Sequence, residues 1–109
     1  MNGLTARGGG RYALSGELSF ATVPDLYRPG NHVFGADPVV SLDLSGITRV
    51  DSAGIALLIE LTRAVRRAGG ELRLEGAPPQ LMALAGLGGL EKVLPFAGNG
   101  EAAVAGRKG

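Results

Sequence analysis

Apolar residues recur along this chain with two different periods, and the changes of period mark out its elements. Tyr12, Leu14 and Leu18 are spaced apolar positions. They predict a strand over 11–15, a kink or bulge at Gly16, and a turn or short second strand over 17–20. Thr22-Val23-Pro24-Asp25 has the make-up of a helix start, with a hydroxyl to cap it and a proline and an acid in the first turn. Val23, Leu26, Tyr27 and Val33 then mark a short helix broken by Pro29-Gly30. Val39-Val40-Ser41-Leu42-Asp43-Leu44 is β-branched and mostly apolar, as expected of a central strand covered on both faces. Glu71-Leu72-Arg73-Leu74-Glu75 alternates cleanly, predicting a strand with one wet face. Pro78 or Pro79 opens a further helix with Leu81, Leu84, Ala85 and Leu87 as its apolar stripe, and Val93-Leu94 predicts a short last strand. This order implies an α/β fold: a mixed sheet of about four to five strands with crossover helices packed largely on one face.

The segment from Asp51 to Ala68 is the most informative. Asp51-Ser52 is a helix N-cap pair, Gly69-Gly70 is a C-terminal stop, and Arg63, Arg66 and Arg67 sit in the last turns, where cations complement the helix dipole. At about 100° per residue, Leu57, Leu58, Leu61, Ala64, Val65 and Ala68 gather on one side as a core stripe. Ser52, Ile55, Ala56, Ile59, Glu60, Arg63 and Arg67 fall opposite. Ile55, Ala56 and Ile59 are thus expected to be exposed beside Ser52. Either a loop of the same chain covers them, or they form a docking patch for a partner. Ser52 likewise has two readings. A serine at a helix start is usually a cap. It could instead be a phosphorylation or hydrogen-bonding contact, since a phosphate there gains from the free N–H groups and is opposed by Asp51.

Composition narrows the function classes. The chain has 109 residues, of which 45% are hydrophobic, which suits one folded domain. A net charge of +1 and 5% aromatics give no basic excess or stacking platform for nucleic acid. With no cysteine there is no disulfide, thiolate zinc site or cysteine nucleophile. Residues 1–10, polar and glycine-rich, read as a flexible leader without a signal-peptide core, and residues 97–109 read as a disordered tail. No apolar run is long enough to span or insert into a bilayer. His32, the single histidine, has no companions for a metal site and reads as a loop residue. Gly86-Leu87-Gly88-Gly89 follows a helix, so it is no dinucleotide loop. A receiver domain would need acids beside Asp43, and the first strand offers only Glu17. Glu60, Arg63 and Arg67 read as a solvated charged face. No enzymatic constellation and no cofactor site emerges.

One long stretch carries a resemblance. Val39-Val40-Ser41-Leu42-Asp43-Leu44-Ser45-Gly46-Ile47-Thr48-Arg49-Val50-Asp51-Ser52-Ala53-Gly54-Ile55-Ala56-Leu57-Leu58 resembles the signature of STAS domains, a hydrophobic strand ending Asp-Leu-Ser, then Val-Asp-Ser/Thr-x-Gly and a leucine-rich helix. Ser15-Gly16-Glu17-Leu18-Ser19-Phe20-Ala21-Thr22-Val23, Gly69-Gly70-Glu71-Leu72-Arg73-Leu74 and Leu87-Gly88-Gly89-Leu90 fit as well, so the likeness spans about residues 11–96. The pattern is closest to the MlaB branch. That implies a non-enzymatic cytoplasmic adaptor, held peripherally at the inner membrane by the ATPase subunit (MlaF-like) of a phospholipid ABC transporter that maintains outer-membrane lipid asymmetry. By that likeness Ser52 matches the position of the contact with the ATPase; with the face read from helical spacing, the expected contact residues are Ser52, Ile55, Ala56, Ile59 and Arg63, with Asp51 as helix cap. The alternative branch is the anti-sigma factor antagonist, whose partner is an anti-sigma factor kinase and whose switch would be phosphorylation of Ser52. Ala53 departs from those antagonists that carry a second hydroxyl there.

Overall fold

The first element is a hairpin that the sequence pattern concealed. The computed structural model describes residues 3–26, 34 and 37–97. Strand β1, Leu4–Gly8, runs antiparallel to β2, Arg11–Leu18, across a glycine turn. Leu4–Gly8, expected to fall within a flexible leader, is therefore part of the sheet. β1 escaped notice because only Leu4 of its residues is large and apolar and four of the five are exposed, so it lacks the alternation that announces a strand. β2 is continuous where two pieces were expected. Gly16, at φ +85°, marks one of two slips in its register against β3.

Strand β3, Val39–Val50, pairs in parallel with β2 and with β4, Glu71–Glu75. The two-residue β5, Phe96–Ala97, closes the far edge of a five-stranded sheet in the order β1-β2-β3-β4-β5. The connections from β2 to β5 all step the same way across the sheet. Right-handed crossovers then place α1 (Val23–Leu26), α2 (Ser52–Arg67) and α3 (Pro79–Leu87) on one face. Val40, Leu42, Leu44, Leu72 and Leu74 point into that helical layer and are buried. Their neighbours Ser41, Asp43, Glu71, Arg73 and Glu75 point the other way and are half-buried or exposed. β3 was expected to be covered on both faces. It instead alternates through residue 44, with its outer side carrying the Arg7–Asp43 ion pair at 3.1 Å.

The end of α2 follows its sequence closely. Gly69, at φ +86°, takes the left-handed position after the helix; its N–H donates to the Arg66 carbonyl, and the Gly70 N–H donates to the Val65 carbonyl. The last third of the chain departs more. Leu81 and Ala85 anchor α3, Leu84 is half-buried, and Leu87, assigned to its apolar stripe, is 86% exposed. Val93 and Leu94 follow a 3-10 turn, Leu90–Lys92, and Leu94 is a buried plug, so the last strand begins two residues later at Phe96. Tyr27, Pro29, Gly30, His32, Val33 and the tail beyond Ala97 lie outside the described residues. No helix among the described residues is long and apolar enough to cross a membrane.

Candidate docking site

The carboxyl ends of β2 and β3 meet the start of α2, and Asp51 ties the three together. Its Oδ1 accepts from the N–H groups of Ala53 (2.9 Å) and Gly54 (3.2 Å), satisfying two of the free donors at the helix start. Its Oδ2 accepts the N–H of Phe20, 31 residues earlier, at 3.0 Å. Its own N–H donates to the Leu18 carbonyl at 3.2 Å. The Phe20 N–H, joined by those of Gly54 and Ala53 and by Arg49, holds this carboxyl below the usual carboxylate range against the opposing effect of desolvation. Asp51 is thus the cap that its place in the sequence predicted.

Gly54 is needed for contact rather than for conformation. A Cβ at this position would collide with the Leu18 carbonyl oxygen and stand 2.8 Å from Val50 Cγ2. The glycine lets the first turn of α2 lie directly on the end of β2, which fixes where Ser52 emerges. Ser52 is the first helical residue; it is exposed, and its hydroxyl has no hydrogen-bond partner among the described residues. The capping role open to it belongs to Asp51.

The expected apolar cluster needs correction. Ile55 is 4% exposed and belongs to the core with Leu57, Leu58, Leu61 and Val65. The buried arc of α2 is centred between Gly54 and Leu58 and also takes in Thr62, whose hydroxyl donates to the Leu58 carbonyl at 2.8 Å. Ile55 lies about 80° from that centre, at the flank of the arc, where a wheel centred further round excludes it. Ile59, about 40° beyond Ile55 on the same flank, is half-buried and packs against the core. Ser52, Ala56 and Arg63 do share one exposed face, with Ile59 at its margin. Arg63 lies roughly 16 Å down the helix from Ser52 at 1.5 Å per residue, and pairs with Glu60 at 3.1 Å.

Phe20 is the residue that the sequence pattern missed. Continuing the alternation of Leu14 and Leu18 would aim position 20 inward. The chain turns first: the Ser19 carbonyl accepts from the N–H groups of Thr22 (3.0 Å) and Val23 (2.8 Å), and the Thr22 hydroxyl accepts the Ser19 N–H at 2.9 Å. Ser19 is buried in this turn, while Phe20 swings out to 81% exposure. Asp43, by contrast, is tied into the sheet. The Ser45 N–H and hydroxyl, followed by Arg7, hold Asp43 below the usual carboxylate range. Among the described residues no cluster of three or more acids, histidines or cysteines could hold a metal ion.

The five-stranded mixed sheet with its helices on one face is the fold that the STAS-like signature implied. In line with it, the family model described as the Mlab, STAS domain matches residues 6–95. The chain belongs to this MlaB-type STAS family. It is 33% identical over 79 residues to the intermembrane phospholipid transport system binding protein MlaB of Escherichia coli (strain K12), covering 72% of this chain and 79% of that protein. The MlaB of Shigella flexneri matches to the same extent, at 33% identity over 79 residues, 72% of this chain and 79% of that one. The fold is also that of the anti-sigma factor antagonist SpoIIAA in its unphosphorylated form, with a TM-score of 0.56 over 95% of this chain and 94% of that one, at 14% identity.

Proposed function

We propose that this chain is a non-enzymatic adaptor of an Mla-type phospholipid transporter, which docks on the transporter's ABC ATPase through the exposed face at the start of α2. The observation that carries the reading is the 33% identity to MlaB over 79 residues, a span long enough to report common descent of the domain. The geometry supplies the contact. Ser52 and Ala56 present small, uncharged, exposed side chains, on a helix start fixed by the Asp51 cap and the Gly54 contact. Little conformational entropy is lost when a partner covers such a surface. Arg63 and Glu60 lie at the rim, where charge steers association more than it sets affinity. Ile59 contributes at the margin and Ile55 only from beneath, as core. The adaptor acts by binding one state of the ATPase better than another. It sits on the cytoplasmic side of the inner membrane through that partner.

A second reading has its own support, because the Ser52 hydroxyl, exposed and without a partner among the described residues, is open to phosphorylation by an anti-sigma factor kinase. Pull-down from native membranes separates the two. The wild-type chain is expected to retain an ABC ATPase, and Ala56→Glu, a change at an exposed site, is expected to lose it while keeping its circular dichroism spectrum. Retention of a soluble kinase instead, with Ser52→Asp inactive and Ser52→Ala active, would establish the antagonist reading.

A further inference from the structure

We infer that Phe20 is the aromatic anchor of this docking face, positioned by Asp51, so that the ATPase must offer an apolar pocket beside the surface that receives Ser52 and Ala56. The inference rests on the α2 docking reading. Phe20 is 81% exposed, yet its backbone is pinned. Its N–H is held by the same carboxylate that caps α2, and Ser19 and Thr22 close the turn on either side. A bulky aromatic ring on a fixed backbone, with two side-chain torsions to freeze, is the residue type that dominates binding when a partner desolvates it. Chain position alone would separate Phe20 from Ser52 by 32 residues; the forked Asp51 carboxylate accepts the Phe20 N–H on one oxygen and, on the other, the N–H of Ala53, next to Ser52.

The fork makes the idea testable at two sites. Asp51→Asn keeps one oxygen to cap α2, but its amide group takes the place of Oδ2 and meets the Phe20 N–H donor to donor. The experiment titrates the purified Mla-type ABC ATPase of the same organism with the wild-type chain and with Phe20→Ala, Phe20→Leu, Asp51→Asn, the Phe20→Ala/Asp51→Asn pair and Ala56→Glu. Circular dichroism and thermal melting confirm that each variant is folded. Phe20→Ala is expected to weaken binding about tenfold or more, with Phe20→Leu recovering part of the loss. Asp51→Asn is expected to weaken it several-fold, and the pair to bind no more weakly than Phe20→Ala alone, because both changes act through one ring. Wild-type affinity for Phe20→Ala overturns the anchor, and if Ala56→Glu has then lost binding, the α2 docking face still stands. Wild-type affinity for Asp51→Asn, or additive losses in the pair, overturns the positioning role. Wild-type affinity for Ala56→Glu overturns the docking reading itself.

Discussion

Asp51 shows how one side chain can be legible and yet understated by sequence. An aspartate before a leucine-rich run announces a cap, and the structure supplies that cap. The second oxygen, which reaches Phe20, depends on a turn 31 residues away that no local pattern encodes. Both Asp51 and Asp43 have pKa values lowered from 3.8 by the N–H donors that face them. The sign follows from linkage. A carboxyl whose folded pKa is depressed stabilises the fold fully above its unfolded pKa, and that stabilisation is lost as pH falls through the folded value. Urea midpoints are therefore expected to be level from pH 7 to about 5 and to decline below 3.8. Asp43→Asn should flatten part of that decline, and an unchanged acid limb in this variant would contradict the assignment. Gly54 allows a sharper test. Gly54→Ala raises intrinsic helix propensity, but its methyl group would press on the Leu18 carbonyl and Val50. Overpacking of this kind costs about 1–3 kcal/mol, more than the roughly 1 kcal/mol that propensity returns. A net loss of stability by chemical denaturation is expected, and a gain would show that the contact relaxes freely.

At the scale of elements, sequence served best where the determinants are local. The bounds of α2, its Asp51 cap, its Gly69-Gly70 end and the alternation of β4 all rest on neighbouring residues. It served worst where packing between elements decides. β1 became a strand because β2 offered an edge, and Ile55 turned inward because it stands at the flank of a buried arc wider than the leucines alone suggest. Leu94 is apolar to fill space beneath a short turn rather than to pair, while Val93 beside it stays exposed. Gly69→Ala tests the local half of this account. It places a side chain in the left-handed region and should cost about 1 kcal/mol, read from the urea midpoint, while leaving partner binding unchanged. An unaltered midpoint would mean that the helix end is held by something other than this turn.

For the molecule as a whole, the sheet divides the labour. One face carries the helical layer and its core; the other is polar and is braced across β2 by the Arg7–Asp43 ion pair. Removing residues 1–8 deletes β1, one partner of that pair, and the cover along the β2 edge. The shortened chain is expected to melt at a lower temperature and to aggregate more readily, since an open β2 edge is a pairing surface. Unchanged melting would show β1 to be dispensable. The proposed docking corner lies at the other boundary, where the end of β2 and the start of α2 present Phe20, Ser52 and Ala56. Ile59→Glu would be a poor probe there, because Ile59 also packs on the core and its loss mixes unfolding with lost contact. The central claim is that the partner covers this corner. Amide hydrogen exchange on the chain, free and bound to the Mla-type ATPase, tests it most directly. Binding is expected to protect residues 19–22 and 52–59 while leaving the exchange of β4, Glu71–Glu75, as it is in the free chain. Protection concentrated on the polar face of the sheet or on α3, with none at 52–59, would contradict the account.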